Sequence, residues 1–241
     1  MLWCLHGFLG HGTDWEQFDF EIPTARPCLL GEVPTQSFAA WGRTFTAQVK
    51  AVDETPLLMG YSMGGRLALH ALLANPGLWR GAVIVSAHPG LSSDAERAAR
   101  IESDEMWARR FLTDSWEKVV TDWQGQSIFG GRPCPLRRDE SLYSREALAA
   151  SLRLWSLGRQ DDLKPRLHEI SCPVLWVVGQ EDGKFSTQAR EAAQLMDDCT
   201  LWEVPGCSHW VAWEKPREFE WRVRNFFEGV TTNDTAHLDI D

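Results

Sequence analysis

Leu57-Leu58-Met59-Gly60-Tyr61-Ser62-Met63-Gly64-Gly65-Arg66-Leu67-Ala68-Leu69-His70-Ala71-Leu72 reads as a strand, a sharp turn and a helix in immediate succession. The apolar run Leu57–Met59 is short enough for a buried strand, and the segment after Met63 carries apolar residues at helical spacing. Between them Gly60-Tyr61-Ser62-Met63-Gly64 sets a serine among glycines. Glycines let the backbone crowd past a strained serine at a strand-to-helix turn, which is the setting of a nucleophile elbow.

Outward from this point the same alternation repeats. Short apolar runs at Leu2–Leu5, Pro27–Leu30, Ala82–Ser86, Val174–Val178 and Leu201–Val204 predict further strands. Helical patterns at Phe38–Val52, Met63–Ala74, Thr187–Met196 and Pro216–Phe227 fall between them. Strands alternating with helices predict an α/β architecture, a doubly wound and mostly parallel sheet. The alternation stops after Ser86 and resumes at Val174. The intervening stretch is Arg-rich and contains helical patterns at Asp94–Phe111 and Ser144–Leu157, so it reads as a helical cap over a site. The expected organisation is a core of residues 1–86 and 171–228, a cap of residues 87–170, and a flexible polar tail of residues 229–241.

Composition narrows the classes of function. A chain of 241 residues with 44% hydrophobic content supports one sizeable core. A formal charge of −10 argues against nucleic acid as a partner, because phosphate binding draws on clustered Lys and Arg. No run approaches the roughly 20 apolar residues that span a bilayer, and the opening Met1-Leu2-Trp3-Cys4-Leu5-His6-Gly7 lacks the regions of a signal peptide. The expectation is a cytoplasmic protein. Six scattered cysteines without a Cys-x-x-Cys pair are expected to be reduced thiols. The 13 tryptophans mostly lie in apolar runs and are expected in the core.

A serine hydroxyl becomes reactive only when an imidazole takes its proton, and the imidazole needs an acid to hold its tautomer. In an elbow fold the order along the chain is Ser, acid, His, each at the end of a strand. Val174-Leu175-Trp176-Val177-Val178-Gly179-Gln180-Glu181-Asp182 supplies a strand and turn that nominate Asp182, with Glu181 as the local rival. Leu201-Trp202-Glu203-Val204-Pro205-Gly206-Cys207-Ser208-His209 supplies the next strand and nominates His209. His11, His70, His168 and His237 lack a matching strand-end position. Backbone amides that would stabilise developing negative charge are expected from Met63, after the serine, and from Phe8, in the loop Leu5-His6-Gly7-Phe8-Leu9-Gly10.

These blocks resemble the α/β-hydrolase-fold synthases of menaquinone and phylloquinone biosynthesis. The likeness runs from Leu5 to about Pro216 and includes Gly60-Tyr61-Ser62-Met63-Gly64-Gly65-Arg66 and Gly179-Gln180-Glu181-Asp182-Gly183-Lys184-Phe185. More specific is the cap block His88-Pro89-Gly90-Leu91, Ala95-Glu96-Arg97, Arg100, Ser103-Asp104, Trp107, Arg110-Phe111-Leu112 and Asp122-Trp123. The resemblance implies a carbon–oxygen lyase. It would eliminate pyruvate from 2-succinyl-5-enolpyruvyl-6-hydroxy-3-cyclohexene-1-carboxylate to leave 2-succinyl-6-hydroxy-2,4-cyclohexadiene-1-carboxylate. It further implies substrate contacts from Tyr61, Arg66, Arg100 and Trp123. The resemblance implies Arg145 as a further carboxylate clamp, with Arg137 or Arg138 as alternatives. From Leu91 to Arg166 there are 11 Arg and 2 Lys against 13 acidic residues, so the cap is neutral while the rest carries the full −10. A small anionic polycarboxylate suits that local relief. The reading calls for no metal and no organic cofactor, and leaves a monomer or a homodimer.

Two departures stand out. The chain begins almost at its first strand, and Ser208 stands where a glycine usually precedes the histidine. The alternative reading is a serine carboxylesterase or thioesterase that uses the same triad to form an acyl-enzyme. A binding protein on the same scaffold would be expected to lack part of the triad.

Overall fold

The computed structural model describes residues 1–233. Its centre is a sheet of six parallel strands: β1 (Leu2–Leu5), β2 (Thr24–Ala25), β3 (Leu57–Tyr61), β4 (Gly81–Val85), β5 (Val174–Gly179) and β6 (Cys199–Val204). They lie in the order β2-β1-β3-β4-β5-β6. Helices α1 (Phe38–Lys50), α2 (Met63–Ala74) and α6 (Gly183–Gln194) join with α8 (Pro216–Asn233) to cover the two faces. A short helix α7 (Val211–Glu214) precedes α8, and α3 (Asp94–Thr113), α4 (Trp116–Gln124) and α5 (Arg145–Leu154) form the segment between β4 and β5.

The central strands are apolar on both sides because both faces are covered. Leu58, Ile84 and Trp176 point into one core with Phe45, Leu67 and Leu72. Met59, Val83, Val85 and Leu175 point into the other, where Trp15, Phe18, Phe219 and Phe227 gather. The period of two along each strand therefore divides one apolar run between two cores.

Three boundaries differ from the sequence reading. The strand expected at Pro27–Leu30 is instead the two-residue β2, paired as Leu2 with Thr24 and Trp3 with Ala25. Pro27 has no amide to offer a ladder, and the Leu29 amide donates to His6 Nε2 at 2.8 Å. The apolar pair Leu29–Leu30 is buried as a loop, not a strand. Helix α8 continues to Asn233, through the start of the expected tail. Residues 234–241 lie outside the described residues. Helix α6 begins at Gly183, four residues earlier than expected, directly behind Asp182. The six cysteines are free thiols, and no described helix is long and apolar enough to cross a membrane.

Phe219 is fully buried and meets Phe18 edge-on at 5.5 Å between ring centroids. Phe219→Ala is expected to cost about 3–5 kcal/mol, the range for an aromatic deleted from a packed core. Urea unfolding would report it; a loss below about 1 kcal/mol would mean that this face relaxes to fill the void.

Candidate active site

In a parallel sheet the crevice forms beyond the carboxyl ends of the strands, where the winding direction reverses. Here the chain runs outward from β1 to β2, then crosses back to β3 and onward. The reversal falls between β1 and β3, and the Gly7–Gly10 loop and Ser62 both emerge there. A cavity of about 270 Å³ opens at this place, between the strand ends and helices α3 to α5.

Ser62 adopts φ 52° and ψ −112°, left-handed backbone that a side chain disfavours. Its surroundings fix it there. The Ser62 amide donates to Val85 O at 2.8 Å, and its carbonyl accepts from the Arg66 amide at 3.1 Å. The turn closes only because position 64 has no side chain, since a Cβ on Gly64 would lie 2.4 Å from Leu5 O and 2.5 Å from His6 O.

His209 Nε2 lies 2.9 Å from Ser62 Oγ, and its Nδ1 lies 2.6 Å from Asp182 Oδ2. Asp182 and His209 are each 2% exposed. An ionised carboxylate only accepts hydrogen bonds, so Nδ1 carries the proton and Nε2 is left to accept from the serine hydroxyl. The chain Ser62–His209–Asp182 is therefore arranged to move a proton from Ser62 toward the imidazole. Glu181, the rival acid, points outward to Arg132 at 2.5 Å.

Phe8 and Met63 both line the cavity, and neither amide donates to a backbone carbonyl among the described residues. Met63 opens α2, where the first amides have no partner within the helix. The Phe8 loop is shaped from below by His6, whose ring is fully used: Nε2 accepts from Leu29 and Nδ1 donates to Gly7 O at 2.8 Å. Burial first, against opposing help from Gly7 O, pushes the His6 imidazole down to about 4, so this ring is a neutral strut. Above the loop, Phe8 packs against Trp123 at 4.5 Å between centroids.

Tyr61, Arg66, Arg100 and Trp123 all line the cavity. Arg66 is 8% exposed and no carboxylate pairs with it among the described residues; Nη1 reaches Gln160 Oε1 at 3.4 Å and the guanidinium lies 4.9 Å from the Phe38 ring centroid. Burial, with Arg100 adding to it and Asp104 opposing, pushes Arg66 down to about 9, still cationic at neutral pH. Arg100 holds Asp104 through Nε at 2.9 Å to each oxygen.

Arg145 is a correction. It is absent from the cavity wall; Nη1 donates to Phe111 O at 3.0 Å and Asp114 O at 2.7 Å, and Nε meets Glu140 at 2.7 Å. It caps the carbonyl end of α3, where unpaired C=O groups draw a cation. Of its alternatives Arg138 borders the cavity, with its charge met by Asp14 at 2.8 and 2.9 Å. Sequence reading also passed over Lys184, which borders the cavity two residues past Asp182. Most tryptophans are buried in the core as expected, and Trp107, Trp123, Trp155 and Trp210 also form part of the cavity wall.

The loops that carry Asp182 and His209 are fastened from the cap side. Arg132 reaches Glu181 at 2.5 Å and Glu214 at 2.7 Å. Glu214 in turn accepts from the Ser208 amide at 2.7 Å and from the Ser208 hydroxyl. The serine that replaces the usual glycine is thus one end of a staple. The His209 amide also donates to Ile128 O at 3.3 Å, and Phe129 stacks on Trp210 at 4.3 Å.

The geometry has relatives. The alpha/beta hydrolase family matches residues 4–220. A 2-succinyl-6-hydroxy-2,4-cyclohexadiene-1-carboxylate synthase of Pectobacterium atrosepticum is 33% identical, over 92% of this chain and 92% of its own. A synthase of the same name from Serratia proteamaculans is 31% identical, over 94% of this chain and 92% of its own. The structure of MenH from S. aureus superimposes with a TM-score of 0.85 at 25% identity, covering 95% of this chain and 94% of the other. A thermophilic esterase from Thermogutta terrifontis shares the fold at a TM-score of 0.78 and 18% identity, covering 95% and 89%.

Arg132→Ala removes both partly exposed pairs at once and is expected to cost about 1 kcal/mol, or about 2–4 °C in unfolding midpoint. Calorimetry measures this directly. An unchanged midpoint would show that the staple contributes nothing to stability.

Proposed function

The chain belongs to the alpha/beta hydrolase family, and we infer that within it this protein is the lyase that eliminates pyruvate from 2-succinyl-5-enolpyruvyl-6-hydroxy-3-cyclohexene-1-carboxylate, leaving 2-succinyl-6-hydroxy-2,4-cyclohexadiene-1-carboxylate. The similarity to synthases of that name across nine-tenths of the chain supports the assignment. The observation that carries it to this cavity is Arg66: a buried guanidinium without a carboxylate partner among the described residues, in the same wall as Ser62 and His209. A desolvated cation needs an anion, and the substrate brings carboxylates.

In this mechanism Ser62 is the base. As Ser62 Oγ takes a ring proton, its own proton passes across the 2.9 Å contact to His209 Nε2. Asp182, held 2.6 Å from Nδ1, stabilises the imidazolium that forms. Electrons released from the broken C–H bond make the new ring double bond while the C–O bond to the enolpyruvyl group breaks. Negative charge that develops on a substrate oxygen meets the Phe8 and Met63 amides. The departing enolate takes up the proton held by the His209 imidazolium and leaves as pyruvate, so the triad ends as it began and no acyl-enzyme forms. Arg66 and Arg100 orient carboxylates, with Tyr61 and Trp123 packing against the ring. The same reading sets residues 87–170 as the cap over a core of 1–86 and 171–228, and has the protein act in the cytoplasm as a monomer or homodimer on a small polycarboxylate, with no nucleic acid bound.

Pyruvate release from the enolpyruvyl cyclohexene carboxylate is the test. Ser62→Ala is expected to slow turnover by about 10²–10⁴-fold, the usual worth of a positioned acid–base group. Arg66→Ala is expected to lower kcat/KM by about 10–100-fold through loss of a charge-assisted hydrogen bond. No release by the wild type, with hydrolysis of short-chain esters instead, would make the protein a serine esterase.

A further inference from the structure

His88 lies in the same cavity, and the mechanism above gives it no task. It follows the end of β4, is 2% exposed, and borders the cavity with Arg66, Arg100 and Lys184. Its hydrogen bonds determine what it offers there. The Gly90 amide donates to His88 Nδ1 at 3.1 Å. A ring nitrogen that accepts cannot carry the proton, so in the neutral ring the proton sits on Nε2. Burial first, then the field of Lys184 and Arg66, pushes the imidazole down to about 3, which keeps the ring neutral.

Nε2–H has no protein partner among the described residues and keeps access to solvent, in a ring that borders the cavity. A donor so placed is open to whatever occupies the cavity. The backbone on either side of it is rigid. Gln160, fully buried, donates to His88 O at 3.0 Å and accepts from Arg66 Nη1 at 3.4 Å, so one glutamine ties the two groups together. Gly90, at φ +127°, turns the chain beneath the ring, where a Cβ would lie 2.3 Å from Asp161 O.

We propose that His88 is a substrate-binding residue whose Nε2–H donates to a carboxylate oxygen held in common with Arg66. The neutral donor and the cation act on the same anion, with Gln160 setting the distance between them. This rests on the substrate being a carboxylate, as the proposed function requires.

The variants His88→Asn and His88→Gln separate the two ends of the ring. Asn reproduces the acceptor for the Gly90 amide and deletes the donor into the cavity, whereas Gln reaches as far as Nε2 and restores it. Succinate is the probe, titrated by tryptophan fluorescence, since four tryptophans line the wall. His88→Asn is expected to weaken succinate binding by about 10–100-fold and to raise the KM for pyruvate release similarly, with kcat nearly unchanged. His88→Gln is expected to recover most of the loss, and both unfolding midpoints to stay near wild type. In the wild type the His88 Nε2 proton resonance is expected to move on adding succinate, a readout that needs no variant. Equal losses in Asn and Gln, wild-type affinity in Asn, or an unmoved resonance would each overturn the proposal. A wild type that binds succinate through His88 but releases no pyruvate would overturn the assigned reaction and leave this inference standing.

Discussion

The carbonyl oxygens of Leu5 and His6 leave no space for a side chain at position 64. That close approach of two backbones is the constraint on which the site depends. It presses the start of α2 against the end of β1, so that Ser62, Met63 and the Phe8 loop all border one cavity. Had α2 stood off by the width of a methyl group, the strained turn at Ser62 would have no closure. The parallel sheet serves this contact. Its order reverses between β1 and β3, and the loops after β5 and β6 arrive alongside to deliver Asp182 and His209.

Above that rigid base the cap contributes charge and shape. Most of its arginines are occupied with one another's acids: Arg110 with Asp114, Arg153 with Glu105, Arg145 with Glu140 and the end of α3. Such exposed pairs contribute little to stability. What they accomplish is to keep the cap neutral, while Arg66 and Lys184 of the core bring charge to the cavity wall. The aromatic wall then excludes water around it, which strengthens every hydrogen bond inside.

The turn at Ser62 and the strand ends that bring Asp182 and His209 beside it were readable because each is announced by its own strand, in chain order, within a few residues. The missed features all depend on contacts between segments distant in sequence. Arg145 cannot be told from a substrate clamp until one knows that α5 sets it against the carbonyl end of α3. The strand expected at Pro27–Leu30 has the right apolar content, but its key amide is taken by His6, some 23 residues earlier. Gln160 and Arg132 carry no motif; their importance comes from meeting partners 94 and 82 residues away. Lys184 and His88 stood inside recognisable blocks, but a block does not say which side chain faces inward.

The burial of the Arg66 guanidinium has a consequence for stability. Folding removes this ion from water with no carboxylate paired to it among the described residues, at a cost in free energy. In the proposed function an anion bound at Arg66 would offset that cost, and affinity and fold stability would be coupled through this residue. An uncharged, well-packed residue at position 66 would make a sturdier protein with one cation fewer in the cavity wall. On that reading the chain would be most robust when occupied, and its resistance to unfolding would become a gauge of how much substrate is at hand.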